Sequence, residues 1–171
     1  FIYLALLPPL LAPIFIFMFK NNENLRDSVG LIGSFISFYA TINITNDLMN
    51  GGSPTLYLFN IFSDLSLSFK VTPLGAVFGL LCSGLWILAA IYSIGYMRGN
   101  NEKNQTRFYI FYSLSIFGAL CVAWSSNLLV LFIFYEFLTF ATYPLVVHKE
   151  TEESIKASRL YLGILVGSSL M

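Results

Sequence analysis

Charge is scarce in these 171 residues: nine basic and nine acidic side chains make up 11% of the chain and cancel to zero net charge. A soluble domain carries charge on about a quarter of its positions, so a soluble single-core enzyme is excluded. Without a basic excess there is no field to draw in a polyanion. No window interleaves dense Lys and Arg with stacking aromatics, so nucleic acid is excluded as a partner. The two cysteines, Cys82 and Cys121, stand alone inside apolar runs and read as inert small hydrophobes. His148 is the only histidine. No metal-ligand cluster, phosphate loop or nucleophile triad is present, and no cofactor is expected.

What fills the chain instead is apolar: 57% of residues are hydrophobic, 17% aromatic, and the mean hydropathy is +0.75. Runs long enough to cross about 30 Å of hydrocarbon are expected near Phe1 to Phe19, Ser28 to Ile44, Pro73 to Met97, Phe108 to Trp124 and Leu128 to Val147. A sixth begins near Ile155 and is cut short at Met171. The fold class expected is therefore all-α, a polytopic transmembrane bundle of five full spans plus the start of a sixth. The first run has no basic leader and no small-residue cleavage site, so it reads as a retained helix bent by Pro8, Pro9 and Pro13. Residues 1–171 form one transmembrane unit without internal repeats, and the chain is expected to be part of a longer protein.

Basic residues stay on the side from which helices insert. Lys20 and Arg26 follow the first run, Arg98, Lys103 and Arg107 the third, and Lys149, Lys156 and Arg159 the fifth; only Lys70 falls on the other side. The amino terminus is thus expected to face away from the cytoplasm, in a bacterial plasma membrane. Between the second and third runs, Asn50-Gly51-Gly52-Ser53-Pro54 is a turn cluster, and Leu65, Leu67, Phe69 and Val71 alternate with Ser66, Ser68 and Lys70. A small extracytoplasmic β-hairpin turning near Ser63-Asp64 is expected. It would pair with a neighbour or pack on helix ends, since open strand edges cannot face lipid.

Glu136 is the residue most suggestive of chemistry, eight positions into the fifth run and so about 12 Å below the surface. A carboxylate at that depth costs about 2.5 to 3.5 kcal/mol on insertion scales and marks a functional site by default. Thr139 and Tyr143 share its helix face and are candidate hydroxyl partners. The functional reading is a proton relay whose proton affinity moves with its surroundings; the alternative is an acid that merely ties two helices together. Pro144 removes the amide partner of the Phe140 carbonyl and reads first as a kink. Thr151 is a candidate cap for a helix opened by Glu152 and Glu153. Lys156 and Arg159 mark the entry of that helix into lipid, Lys156 as a snorkelling end charge. Arg159 and Glu136 differ in depth by roughly 10 Å, too far for a direct pair. His148 reads as an interfacial surface group, and Ser113 and Ser115 as bonding helix to helix.

Taken in order, Phe69-Lys70-Val71-Thr72-Pro73-Leu74-Gly75, Tyr92-Ser93-Ile94-Gly95-Tyr96-Met97, Arg107-Phe108-Tyr109, Ser126-Asn127-Leu128-Leu129, Tyr135-Glu136-Phe137 and Lys156-Ala157-Ser158-Arg159-Leu160-Tyr161-Leu162 make the chain from about residue 56 onward resemble a known family. It is similar to the antiporter-like membrane subunits shared by respiratory complex I and the multi-subunit Mrp-type sodium/proton antiporters. The resemblance implies a subunit of about fourteen helices with two inverted five-helix repeats and a hydrophilic axis that moves protons, or sodium and protons, across the bilayer. Glu136 matches the family's fifth-helix glutamate, which works with a lysine on a later helix. The partners implied are other membrane subunits, which would hold any redox centre such as that of an NADH-quinone oxidoreductase; no cofactor is implied in this chain. Thr72 stands where many members have Asp, Tyr135 replaces the commoner Trp, and the 148–153 linker looks closer to the Mrp-type branch. Two competing readings are an unrelated secondary transporter that binds a cationic solute through Glu136, and a membrane scaffold with a structural acid.

Overall fold

A computed structural model of the chain describes residues 1–62, 65–148 and 152–169. The elements follow as α1 (Ile2–Met18), α2 (Glu23–Met49), β1 (Thr55–Phe62), β2 (Leu65–Lys70), α3 (Pro73–Gly99), α4 (Gln105–Ala123), α5 (Leu128–Val146) and α6 (Glu152–Ser169). Four of them, α2 to α5, are long and apolar enough to cross a membrane. At 17 residues α1 is apolar but shorter, about 25 Å by helical rise. The expected turn at Ser63-Asp64, Thr151 as a cap, and the charges of Lys149 and Glu150 lie outside the described residues. The largest departure from the expected spans is α2, which starts at Glu23 rather than Ser28 and so takes Arg26 and Asp27 into the helix.

Local chemistry sets the helix starts. Pro73 occupies the first turn of α3, where its missing N–H is harmless. The Thr72 hydroxyl before it accepts from the Gly75 amide at 3.1 Å. Threonine therefore caps this helix as an aspartate would. Asn127 opens α5 by accepting from the Val130 amide at 2.9 Å while its own amide donates to the Ser66 carbonyl at 2.8 Å. Between α3 and α4, Asn101 and Asn104 take left-handed φ values of 48° and 58°, a conformation asparagine tolerates.

The bundle closes through small residues and redirected hydrogen bonds. The helix α1 continues through Pro8, Pro9 and Pro13. Pro9 has no N–H to give the Ala5 carbonyl, and Ser37 on α2 donates to that oxygen instead, at 2.8 Å in a buried position. Gly75 and Gly79, one turn apart on α3, seat the buried ring of Trp124. A Cβ at Gly79 would stand 2.8 Å from the indole, and the indole N–H donates to the Gly75 carbonyl at 2.9 Å.

The strands β1 and β2 pair antiparallel with two register irregularities. The other edge of β2 is taken by the turn between α4 and α5. Lys70 N donates to Trp124 O at 2.7 Å, and the Ser126 amide and hydroxyl both reach Ser68 O, at 3.3 and 2.8 Å. The hairpin thus packs on helix ends, one of the two arrangements expected for it. Phe69 and Val71 enter the core while Lys70 stays outside, as a two-residue period requires.

Candidate ion-translocation site

Val130, Phe134, Phe137 and Ala141 face one side of α5. Phe134 and Phe137 set their rings edge-on to Phe117 of α4 at 5.9 Å. Gly118 allows the approach, since a Cβ there would lie 3.3 Å from the Leu138 backbone. At about 100° per residue, Glu136 and Tyr143 stand roughly 130° and roughly 150° round the helix from that packed face. Glu136 is the ninth of the 19 residues of α5, at the centre of a span-length helix. Its side chain is half-buried, and Oε1 is fully covered with no hydrogen-bond partner among the described residues. A buried polar atom left unpaired is costly, and Oε1 of Glu136 is such an atom among the described residues.

The other expected site residues are arranged differently around it. Thr139 is buried, and its hydroxyl donates back to the Tyr135 carbonyl at 3.1 Å rather than toward the carboxyl. Tyr143 is half-buried. Thr142, which the sequence did not single out, donates to the Thr139 carbonyl at 3.0 Å and shares a 3.2 Å hydrogen bond with the Tyr161 hydroxyl, tying α5 to α6. Lys156 and Arg159 are both exposed, and among the described residues no salt bridge joins either to Glu136. One turn before Glu136, Phe132 lines an open groove of about 640 Å³ between the hairpin-side half of α5 and Ser168 of α6. Among the described residues, Ser113 and Ser115 make no hydrogen bond across helices. Each donates to a carbonyl one turn back on its own helix, at 3.0 and 2.8 Å, because that acceptor is already within reach of a short hydroxyl. The His148 ring packs edge-on to Phe108 at 5.4 Å.

A second buried charged group was not foreseen. Asp27 accepts from Arg26 Nε at 2.9 Å on one oxygen and from Arg98 Nε and Nη2 at 2.8 and 2.6 Å on the other. Arg26 also donates to Gln105 Oε1 at 2.8 Å, and its guanidinium lies 5.2 Å from the Tyr109 ring centre. The amide of Gln105 in turn donates to the Met97 carbonyl at 3.1 Å. Arg26 and Asp27 are 4% and 5% exposed. This clamp joins α2, α3 and α4 at the end of the bundle opposite the hairpin. The only sequence signal was an Arg-Asp pair next to an apolar run, and the partner that gives it meaning is 71 residues away. Among the described residues no group of three or more His, Cys, Asp or Glu side chains could hold a metal ion.

Comparison with known proteins follows the same lines. Residues 59–109 match the family model described as NADH-ubiquinone oxidoreductase (complex I), chain 5 N-terminus. NAD(P)H-quinone oxidoreductase subunit 5, organellar chromatophore 1, from Paulinella chromatophora is 31% identical over 133 residues, 74% of this chain and 20% of that protein. Na(+)/H(+) antiporter subunit A1 from Staphylococcus aureus is 34% identical over 98 residues, 57% of this chain and 12% of that one. The chain thus spans about a fifth or less of the length of these relatives. A chain in the structure of the membrane-bound sulfane sulfur reductase, an archaeal respiratory membrane complex, shares the fold with a TM-score of 0.81 at 18% identity, over 93% of this chain and 32% of its own. Its apolar helices make the chain an integral membrane protein, and it belongs to the antiporter-like family shared by complex I and the Mrp-type sodium/proton antiporters.

Proposed function

We propose that the chain is the amino-terminal part of a proton-translocating membrane subunit of about fourteen helices, working inside a multi-subunit complex with Glu136 as a proton relay. In this reading α1 also spans, α6 begins a sixth span, and the hairpin and amino terminus face away from the cytoplasm of a bacterial plasma membrane. The partners are the other membrane subunits, and the translocated ion is the proton, alone or exchanged for sodium. Lys156 and Arg159 sit at the cytoplasmic end of α6 and bias the local potential along the route. Thr139 and Tyr143 border it.

The observation that carries the reading is the covered Oε1 of Glu136 at the centre of α5, unpaired among the described residues. An acid without a fixed counter-charge keeps its proton while its surroundings are apolar and releases it when a cation or water chain approaches. The names of the relatives, a quinone oxidoreductase subunit and a sodium/proton antiporter subunit, point to the same chemistry in the whole protein.

The test is Glu136→Gln in the intact complex reconstituted into vesicles, with proton uptake and complex assembly both measured. The relay predicts transport lost to background with assembly unchanged. Wild-type transport would reject it. Failure to assemble would favour the scaffold reading, and intact proton transport with lost binding of an organic cation would favour the carrier reading.

A further inference from the structure

Beside the clamp formed by Arg26, Asp27 and Arg98 lies a narrow cavity where four helices meet. Ile16 of α1, Arg26 and Asp27 of α2, Ala90 of α3 and Tyr109 of α4 line it. Its volume, about 10 Å³, is close to that of one water-sized sphere. Tyr109 is 7% exposed, and its hydroxyl is covered with no hydrogen-bond partner among the described residues. The neighbouring Ser93 hydroxyl gives its own hydrogen to the Ala90 carbonyl at 3.0 Å. A buried hydroxyl without a partner is costly, and such groups are where proteins hold single waters.

The clamp supplies the other contacts a water needs. The guanidinium of Arg26 lies 5.2 Å from the Tyr109 ring centre. Of its five N–H donors, those used among the described residues go to Asp27 and Gln105. Asp27 Oδ2 accepts from both Nε and Nη2 of Arg98, whereas Oδ1 accepts only from Arg26 and keeps a second lone-pair direction. Tyr109, Arg26 and Asp27 thus offer a hydroxyl, a donor and an acceptor, within the roughly two to four polar partners of a buried water. Charge is balanced here: Arg26 and Arg98 stand against Asp27 and against Glu23, which lies beside Arg98. Neither a bare cation nor an anion is favoured, and the volume admits nothing larger than water.

We propose that this cavity holds one ordered water, which joins the Tyr109 hydroxyl to Arg26 and Asp27 and so ties α4 into the clamp. The proposal does not depend on Glu136 moving protons. It is tested on the intact complex by electron cryomicroscopy, at a resolution that shows buried waters elsewhere in the map, and by thermal unfolding. Wild type is compared with Tyr109→Phe in both. A single peak is expected within about 3.2 Å of the Tyr109 hydroxyl and of Arg26 or Asp27, and it should be lost in Tyr109→Phe. The unfolding temperature of the variant should fall by about 2 °C, because the water and the clamp lose a partner. Removing a hydroxyl that bonds to nothing would instead leave stability equal or raise it. A dry cavity, a direct hydrogen bond between Tyr109 and Ser93, a peak that persists in Tyr109→Phe, or a variant as stable as wild type would overturn the proposal.

Discussion

Asp27 and Glu136 are both acids in apolar helices, and their surroundings could hardly differ more. Asp27 receives three charge-assisted hydrogen bonds from two arginines, whereas Glu136 has a covered oxygen with no partner among the described residues. A carboxylate held by two permanent cations has both oxygens committed to fixed partners. One whose covered oxygen has no partner among the described residues is left open to a transient one. The comparison separates an acid locked by fixed counter-charges from the proposed relay, which has none among the described residues; depth alone does not distinguish them.

Neutralising each acid should break this pairing in opposite ways. Glu136→Gln is expected to abolish proton transport while leaving the thermal stability of the complex equal to wild type or higher, because a neutral amide replaces a group that is costly in its charged form. Asp27→Asn should do the reverse. It leaves the buried guanidinium of Arg26 uncompensated while Arg98, 37% exposed, is screened by water, so the loss is at the lower end of about 3 to 5 kcal/mol, readable as a lower unfolding temperature or loss of the subunit from the complex. Replacing Arg26, Asp27 and Arg98 together by leucine should recover much of that loss; no recovery would mean that the clamp does more than join three helices.

Smaller effects sharpen the same contrast between satisfied and unsatisfied groups. Ser37→Ala strips the donor from the Ala5 carbonyl that Pro9 leaves free, and about 1 to 3 kcal/mol of stability should go with it. Thr142→Val removes the link to Tyr161 one turn and a half from Glu136, for a cost of about 0.6 kcal/mol. If that variant loses transport while its unfolding temperature barely moves, the contact between α5 and α6 belongs to the relay rather than to the scaffold.

Much of this was legible in sequence because it depends on neighbours in the chain. The apolar runs beginning at Pro73 and Leu128 were read as spans from the sequence, and the structure starts α3 and α5 at the same residues, with Thr72 and Asn127 as caps that act within three residues. The alternation from Leu65 to Val71 gives a strand because a pleat has a period of two. Glu136 stood out because an acid among Leu, Phe and Val violates the pattern of its own helix. What was not legible depends on distant partners. Arg26 was counted as a loop charge, and only Arg98 and Gln105, far along the chain, turn it into a buried clamp. Ser37 looked like any helical serine until Pro9 of another helix made its hydroxyl necessary. Ser113 and Ser115 were expected to bridge helices, yet for a short hydroxyl the carbonyl of its own preceding turn is the nearer acceptor.

The central claim is that Glu136 changes its protonation state during transport. Infrared difference spectroscopy on the membrane-reconstituted complex, with the proton gradient switched on and off, measures this directly through the C=O stretch of a protonated carboxyl. The account predicts a band that responds to the gradient and is missing in Glu136→Gln. A spectrum without such a band, or with one that persists unchanged in the variant, would contradict it.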